Sequence, residues 1–376
     1  MRRFAALFEA LDRSTATLDK RAALVAYFRD APADDAVWGL WLLSGGKLAR
    51  IANSTELRQW IVDASGLPLW LVEDSYAHVG DLAETLALLL EDPAAPAPDR
   101  PLHAWVDRLR GVAGADADVR RGVVVDAWRS LPYAQRLVFN KLMTGALRVG
   151  VSTRVVQQAL AELSGLDIAR IAQRMLGRWE PSPDFLRDLL HPEELPSDRQ
   201  QPYPFFLASP IDGEPAALGA IDDWLLEWKW DGIRLQLIRR AGETALWSRG
   251  EERLDGRFPE IERAALGLAR DAVIDGELMA WRAGEAQPLP FTALQTRIQR
   301  RKPGPKSLAD APARVLAYDL LELDGVDLRE LPLEERRAAL AALLAELDDP
   351  AIALSSTVQA DDWAHAARLR DASRDR

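Results

Sequence analysis

The spacing of hydrophobic residues predicts that the first 190 residues of the chain are mostly helical. Apolar positions recur three and four residues apart, which places them on one face of an α-helix. The pattern is clearest in four segments, 24–28, 81–90, 103–109 and 152–163. Small polar residues that favour helix N-caps stand at three of the expected starts: Ser54, Asp81 and Ser152. We therefore expect an all-α domain in the first half of the chain.

The N-terminus fits the same helical pattern rather than that of a targeting signal. Its large apolar residues fall on one helical face: Phe4, Leu7, Phe8 and Leu11. Glu9 and Asp12 interrupt the apolar core that a signal peptide needs. No apolar run in the chain is as long as a membrane-spanning helix. We expect a cytoplasmic protein that does not bind membranes.

After about residue 202 the hydrophobic pattern changes to strands of moderate length with helices between them. We predict strands at 224–230, 233–240, 244–248, 272–281 and 314–323, and helices at 258–269, 290–300 and 333–347. The regular strand–helix alternation of a Rossmann fold is missing, which favours an α+β domain with antiparallel sheets. Segment 180–205 is rich in proline and charge and predicts a linker. The expected domains are therefore 1–201 and 202–376.

Composition excludes several kinds of functional site. At 376 residues and 48% hydrophobic content, the chain is long enough to bury two cores. It has no cysteine, which excludes disulfides, thiolate metal sites and cysteine nucleophiles. Its four histidines are scattered without metal-ligand spacing. We predict no set of protein metal ligands.

Charge is distributed unevenly along the chain. The formal net charge of −11 argues mildly against a nucleic-acid partner. Residues 120–178, however, hold ten Lys or Arg against three acidic residues, a local net charge of +7. A local excess of basic residues is what binding to a phosphate backbone requires. We expect a nucleic-acid-binding surface in this segment.

Lys229, one of six lysines, stands between Trp228 and Trp230 in the sequence EWKWDGIR. A lysine amine is a nucleophile only without its proton, and apolar walls or a nearby cation favour the neutral amine. The two tryptophans and Arg234 could supply these. A plainer interpretation is a hairpin with a solvated lysine, because Asp-Gly is a strong two-residue turn signal. The residues that follow decide between the two.

Three further short motifs follow EWKWDGIR in a fixed order. They are SRG at 248–250, DGE at 275–277 and YDLL at 318–321. Together the four motifs resemble those of the nucleotidyltransferase superfamily of ATP-dependent DNA ligases, RNA ligases and capping enzymes. The resemblance implies that Lys229 attacks the α-phosphate of ATP and carries AMP as a phosphoramidate.

The resemblance also implies roles in nucleotide binding for several residues of these motifs. Glu227 would read the adenine, and Tyr318 would stack on it. Arg234 and Arg249 would bind ribose or phosphate, and Glu277 would bind ribose or act near the metal. Mg²⁺ would neutralise charge on the phosphates. The chain has no P-loop and no Rossmann fingerprint, and we expect ATP, not NAD, to be the AMP donor.

Residues 139–164 carry a second resemblance, in the sequence FNKLMTGALRVGVSTRVVQQALAELS. Glycines let a backbone approach phosphate closely, and amides at a helix start donate to anions. From the residues alone, a plain helix–turn–helix explains the stretch equally well. It resembles the helical DNA-binding domain that precedes the catalytic core of larger DNA ligases. That resemblance implies phosphate contacts by Lys141, Arg148, Gly150 and Thr153.

A cluster of basic residues lies around two prolines in the segment 297–306. Its members are Arg297, Arg300, Arg301, Lys302 and Lys306. A solvated loop and a phosphate-contacting surface explain the cluster equally well.

The family motifs stop before the end of the expected pattern. The superfamily continues with two lysine-containing motifs and an oligonucleotide-binding barrel, but Lys306 is the last lysine of this chain. We interpret the chain as two of three domains, with the adenylation domain C-terminally incomplete. Preorganised charge at a phosphoryl-transfer site contributes much of the rate. We therefore expect the 376-residue chain to recognise nicked DNA without sealing it.

The expected function is ATP-dependent sealing of nicks in double-stranded DNA by a monomer, in replication, repair and recombination. One alternative is an RNA ligase or capping-type enzyme, which shares the core motifs but lacks this helical domain. The other is a catalytically incompetent DNA-binding fragment.

Overall fold

The chain folds into two compact units, which differ in secondary structure. The computed structural model describes residues 1–94, 98–145, 147, 149–300 and 302–373. The first unit, here the helical unit, comprises Met1–Met175 and Trp179–Glu194. The second, the α+β unit, comprises Leu176–Arg178 and Leu195–Arg376. This confirms the predicted fold class, and the change of unit falls inside the predicted linker 180–205.

The helical unit is built from helices α1–α12. Their bounds are α1 Arg2–Arg13, α2 Thr17–Asp30, α3 Ala33–Leu43, α4 Ser54–Ser65, α5 Leu69–Val79, α6 Leu82–Leu88, α7 Leu102–Val112, α8 Ala117–Ser130, α9 Tyr133–Thr144, α10 Thr153–Ser164, α11 Ile168–Arg174 and α12 Pro183–Leu189. One apolar core joins them. The four residues predicted for the apolar face of the first helix are all buried: Phe4, Leu7, Phe8 and Leu11.

The predicted helix starts are partly right. Asp81 caps α6 by accepting the Glu84 N–H at 3.0 Å. Ser152 precedes α10 as predicted but makes no side-chain cap. The cap of α4 is Asn53, not Ser54 as predicted, because Asn53 and Glu56 form a reciprocal capping box that satisfies two backbone donors.

The α+β unit is built on one six-stranded sheet with helices packed against it. Its strands are β1 Ile233–Arg240, β2 Glu243–Ser248, β3 Ala272–Ala280, β4 Ala313–Leu323, β5 Val326–Asp327 and β6 Ile352–Leu354. Its α-helices are α13 Pro259–Leu266, α14 Phe291–Ile298, α15 Pro305–Asp310, α16 Leu333–Ala345 and α17 Trp363–Ala372, and short 3₁₀ turns cover Pro196–Gln200, Pro215–Leu218 and Ile221–Asp223.

The sheet order is β2-β1-β3-β4-β5, and β6 pairs with β4. All pairings are antiparallel except β4 with β6, which is parallel. Side chains alternate between faces along β1. Leu235 and Leu237 join the larger core on one face, and Ile238 joins a smaller cluster on the other. The polar residues of β1 that share the face of Ile238 therefore point away from the larger core.

The segment 224–230 is not a strand, contrary to the prediction. It contains only an isolated bridge between Glu227 and Thr357, and Trp224 and Trp230 pack on the rings of Trp363 and Trp281 instead of joining a ladder. The hairpin interpretation of Asp231-Gly232 is therefore also wrong. Within the described ranges, no helix has the length and apolar character needed to cross a membrane.

Candidate active site

Lys229 lies in a loop whose two ends are anchored by neighbouring side chains. On one side, Arg337 donates to Glu227 Oε1 at 2.8 Å. On the other, Trp230 packs edge to face on Trp281, with ring centroids 5.6 Å apart. Lys229 itself is exposed between these anchors. The loop therefore presents the amine on a fixed backbone.

Three charged side chains around this loop are exposed and make no hydrogen bond or ion pair with the residues that the structure describes: Lys229, Asp231 and Arg249. The Arg249 amide donates to Arg234 O at 3.1 Å, which fixes Arg249 beside the start of β1. The cations and the carboxylate are therefore placed near one strand end and remain free to bind a charged ligand.

Two glycines allow the Lys229 loop and strands β3 and β4 to approach closely. A Cβ on Gly232 would lie 2.5 Å from Leu278 O, closer than real Cβ contacts. A Cβ on Gly276 would lie 2.8 Å from Leu316 O. The Asp-Gly pairs at 231–232 and 275–276 therefore serve close packing, and not a tight turn.

Glu277 lies opposite Arg234 in the pairing of β1 with β3. Its half-buried carboxyl accepts the Gly232 N–H. Burial raises the pKa of Glu277 to about 7, against the opposing effects of that hydrogen bond and of the Lys229 charge. At neutral pH this carboxyl is divided between its protonated and ionised forms. It is therefore suited to accept or release a proton.

The sequence-based assignment of Arg234 to ribose or phosphate requires a guanidinium with unused donors. In the structure, this guanidinium is bound to other residues of the chain. Its Nε and Nη2 donate to the two Asp275 oxygens at 3.2 and 2.7 Å, and its Nη1 donates to Phe206 O. The Tyr318 hydroxyl donates to Asp275 Oδ1 at 3.3 Å. Burial raises the pKa of Asp275 despite these donors. Arg234 therefore orients Asp275 and, through it, the ring of Tyr318.

Sequence reasoning missed the partners that α16 supplies to the motifs. Arg336 forms two hydrogen bonds with Asp319, at 2.8 and 3.0 Å. Arg337 holds Glu227, whose pKa is raised by partial burial although Arg337 opposes the shift. The hydrophobic spacing of α16 gave no sign that its arginines face the site. The position of Asp319 directly after Tyr318 was the one available signal.

Mg²⁺ prefers oxygen ligands and is usually held by one or two carboxylates together with phosphates and water. Among the described residues, no three His, Cys, Asp or Glu side chains form a preformed metal cluster. Asp231 and Glu277 nevertheless supply carboxylates beside Lys229, one exposed without a partner and one half-buried. These residues fit a metal that arrives with the nucleotide.

Many basic residues between 120 and 178 are used inside the helical unit. Arg136 and Arg174 are 0% and 6% exposed and donate to main-chain carbonyls beyond the ends of α6 and α12. Two others pair with acidic residues of α4: Arg120 with Glu56 at 3.0 Å and Arg121 with Asp63 at 2.8 Å. The net charge of +7 therefore does not describe one basic surface, which corrects the inference from the count.

The four predicted DNA contacts differ in their surroundings. Lys141 is 12% exposed in its side chain and forms an ion pair with Asp81, so its ammonium is committed to joining α9 to α6. Gly150 has a φ of 58°, and its carbonyl accepts from Lys20 Nζ at 2.8 Å. Thr153 is exposed at the first turn of α10. Arg148 lies outside the described residues.

The basic cluster 297–306 contains both buried and exposed residues. Arg297 is 1% exposed and donates to Glu260 at 2.7 Å and to Ala311 O at 2.6 Å, so it belongs to the core. Arg300, Lys302 and Lys306 are exposed, and Arg301 lies outside the described residues. The phosphate-contacting interpretation therefore rests on the three exposed residues.

Two family models match the chain in succession. The model described as "DNA ligase N terminus" matches residues 1–161. The model described as "ATP dependent DNA ligase domain" matches residues 205–376. Their order corresponds to the helical unit followed by the α+β unit.

The chain is also similar to whole proteins. A probable DNA ligase of Koribacter versatilis is 26% identical over 90% of this chain and 60% of its own length. A probable DNA ligase of Anaeromyxobacter sp. is 30% identical over 88% of this chain and 65% of its own length. The chain thus spans less than two thirds of each. A solved structure named Pmar-Lig_PreS3 matches 99% of this chain and 71% of its own, at 13% identity and a TM-score of 0.50, and supports the fold. The chain belongs to the ATP-dependent DNA ligase family.

Proposed function

We propose that this chain contains the nucleotide site and a DNA-binding unit of a ligase that seals nicks in double-stranded DNA through a Lys229–AMP intermediate. The observation that carries the proposal is the environment of Lys229. It is an exposed amine on an anchored loop, with the half-buried Glu277 beside it and Arg249 free nearby. Such a loop offers a nucleophile and charge stabilisation at one place.

In the first step, the Lys229 amine attacks the α-phosphate of ATP. The N–P bond forms as the bond from phosphorus to the pyrophosphate oxygen breaks, and pyrophosphate leaves with the electron pair. Glu277, whose pKa is about 7, is placed to accept the proton that the amine loses. Mg²⁺, when bound, would neutralise charge on the phosphates, with the exposed Asp231 as the carboxylate that would hold it.

Tyr318 and Glu227 are proposed to bind the adenine. The hydroxyl of Tyr318 is tied to Asp275, so one orientation of the ring is favoured before the base stacks on it. Glu227 is oriented by Arg337. Arg249 is proposed for ribose or phosphate because its guanidinium has no partner in the described part of the chain. Arg234 is proposed to act through Asp275.

AMP then passes from Lys229 to the 5′-phosphate at a nick, and the 3′-hydroxyl displaces it to form the phosphodiester. We propose that the exposed start of α10 contacts the phosphate backbone, where Gly150 and Thr153 lie and Arg154 is exposed without a described partner. The protein would act as a monomer in the cytoplasm, in replication, repair and recombination.

The proposal is tested by labelling with ATP that carries its label on the α-phosphate, in the presence of Mg²⁺. The proteins are the 376-residue chain and the same chain continued after Arg376 by the C-terminal part of the Anaeromyxobacter relative. Label should become covalently attached to the continued chain and be absent from its Lys229→Arg variant. Lys306→Arg, a second exposed lysine, is the matched control and should keep the label.

Three outcomes contradict the proposal. Label that persists in Lys229→Arg would assign the nucleophile to another residue. Label obtained from NAD but not from ATP would show that the nucleotide donor is wrong. Labelled protein that passes its AMP to RNA ends and ignores nicked DNA would favour the RNA ligase alternative.

A further inference from the structure

A row of side chains on one face of β1 binds the segment that enters the α+β unit. Arg234, Gln236, Ile238 and Arg240 alternate along the strand and therefore share a face. At the far end of the row, Arg240 Nη1 donates to Gln201 O at 3.0 Å and to Arg199 O at 3.2 Å. We call residues 198–206 the entry segment.

The middle of the entry segment is held by Gln236. This side chain is fully buried, accepts the Tyr203 N–H at 2.9 Å and donates to Tyr203 O at 3.0 Å. Ile238 packs in the small apolar cluster that Tyr203 and Phe205 cover. A buried amide with both of its groups used specifies one register, so the entry segment has a defined path along β1.

The near end of the entry segment reaches Arg234. Phe206 O accepts from Arg234 Nη1. The ring of Phe205 lies under the guanidinium, 5.6 Å from Arg234 Cζ to the ring centroid. Among the described residues, the other hydrogen bonds of this guanidinium are the two to Asp275. The entry segment and Asp275 therefore fix Arg234 from two directions.

We propose that the entry segment is a working part of the nucleotide site, with Phe205 and Phe206 as positioning residues for Arg234. The effect passes from Arg234 to Asp275 and from Asp275 to the Tyr318 hydroxyl. Without the Phe205 ring and the Phe206 carbonyl, the Arg234 guanidinium can adopt more orientations. The buried charge of Asp275 is then less well neutralised by Arg234. Tyr318 then loses its preferred ring orientation. The inference rests on the proposed binding of adenine by Tyr318.

The first test is the affinity of the 376-residue chain for ATP, measured by fluorescence titration. Phe205→Leu keeps an apolar side chain in the cluster but removes the ring beneath Arg234. It should weaken ATP binding by about three- to five-fold, the size expected for one cation–π contact. Phe205→Tyr restores a ring and should bind ATP as the wild type does.

A double-mutant cycle separates positioning from a general loss of stability. If Phe205 acts through Arg234, then Phe205→Leu should have little further effect on ATP affinity in the Arg234→Gln background, which has no cation over the ring. Tyr203→Phe is the matched control in the same segment. It removes the hydroxyl bond to Glu322 but leaves the ring and the Gln236 contacts, so ATP affinity should be unchanged.

Each failure has a distinct meaning. If the wild-type chain binds ATP and Phe205→Leu binds it equally well, the positioning role of Phe205 is overturned. The proposed function is then unaffected. Equal losses in Tyr203→Phe and Phe205→Leu, or additive losses with Arg234→Gln, also overturn it, because the segment would then act only through folding. No ATP binding by the wild-type chain would overturn the proposed nucleotide site itself.

Discussion

The charged residues that the sequence patterns indicated are used differently in the two units. In the helical unit, basic residues such as Arg136 and Arg174 turn inward and satisfy helix-end carbonyls. In the α+β unit, Lys229, Asp231 and Arg249 remain exposed and without partners in the described structure, while the charges behind them are paired. A count of charges in a segment therefore says little about its surface. The order of short motifs says more, because the motif residues lie on neighbouring strands of one sheet or in the loops beside them.

The largest effect that would sharpen this comparison is expected at Arg136. Arg136→Met should lower the free energy of unfolding of the helical unit by about 3 kcal/mol, because several carbonyls lose their buried donor. The measurement is urea unfolding followed by far-ultraviolet circular dichroism. Arg129→Met is the matched control, since Arg129 is exposed and has no partner in the described ranges, and it should change stability by less than about 0.5 kcal/mol.

Equal effects of the two substitutions would break the comparison. Arg136 would then stabilise the fold no more than an exposed arginine does. The net charge of residues 120–178 would again be interpreted as surface charge.

Glu277 gives a pH-dependent prediction for the α+β unit. Its pKa is raised from an ordinary value of 4.5 to about 7, so the folded state holds a proton that the unfolded state releases. The contribution of Glu277 to the free energy of unfolding should therefore be fully present below pH 4.5 and be lost as pH rises through 7. After allowance for solvent screening, the change is on the order of 1 kcal/mol.

The check is thermal unfolding of the wild type and of Glu277→Gln across this pH range. Glu277→Gln should remove most of the dependence that the wild type shows between pH 4.5 and 7. The same slope in both proteins would show that Glu277 titrates as an ordinary exposed glutamate.

The smallest predicted effect concerns DNA binding by the helical unit. Arg154→Ala should reduce the slope of log affinity against log salt by up to about one unit, because one phosphate contact is lost. Arg121→Ala removes the same charge from a residue that is already paired with Asp63 and should leave the slope nearly unchanged. Binding to nicked duplex at several salt concentrations measures both. A larger change for Arg121→Ala would contradict the division between paired and unpaired cations.

The sequence predicted those elements whose pattern is local. The amphipathic α1, the long α16 and the apolar strands β1, β3 and β4 all follow from the residue pattern over a few turns or residues. The segment 224–230 misled the prediction because its tryptophans favour strands. Its contacts are instead with residues far along the chain, such as Trp281 and Thr357. Such long-range contacts leave no periodic signal.

The candidate site shows the same division. The motif order predicted Lys229, Glu227, Arg249, Glu277 and Tyr318 as a group, and the structure places them around one sheet. The Arg234 guanidinium is instead bound by Asp275 and the Phe206 carbonyl. No pattern in the sequence indicates these contacts. The sequence also could not predict that Lys141 and Arg297 form ion pairs inside the fold. Their partners, Asp81 and Glu260, are distant in sequence.

The central claim is that Lys229 is the residue that carries AMP. The most direct measurement is peptide mapping by mass spectrometry after incubation of the continued chain with ATP and Mg²⁺, before and after nicked duplex is added. The account predicts that AMP is found on the peptide containing Lys229 and is lost when the nick is supplied. AMP on a peptide that excludes Lys229, or AMP that the nick does not discharge, would contradict it.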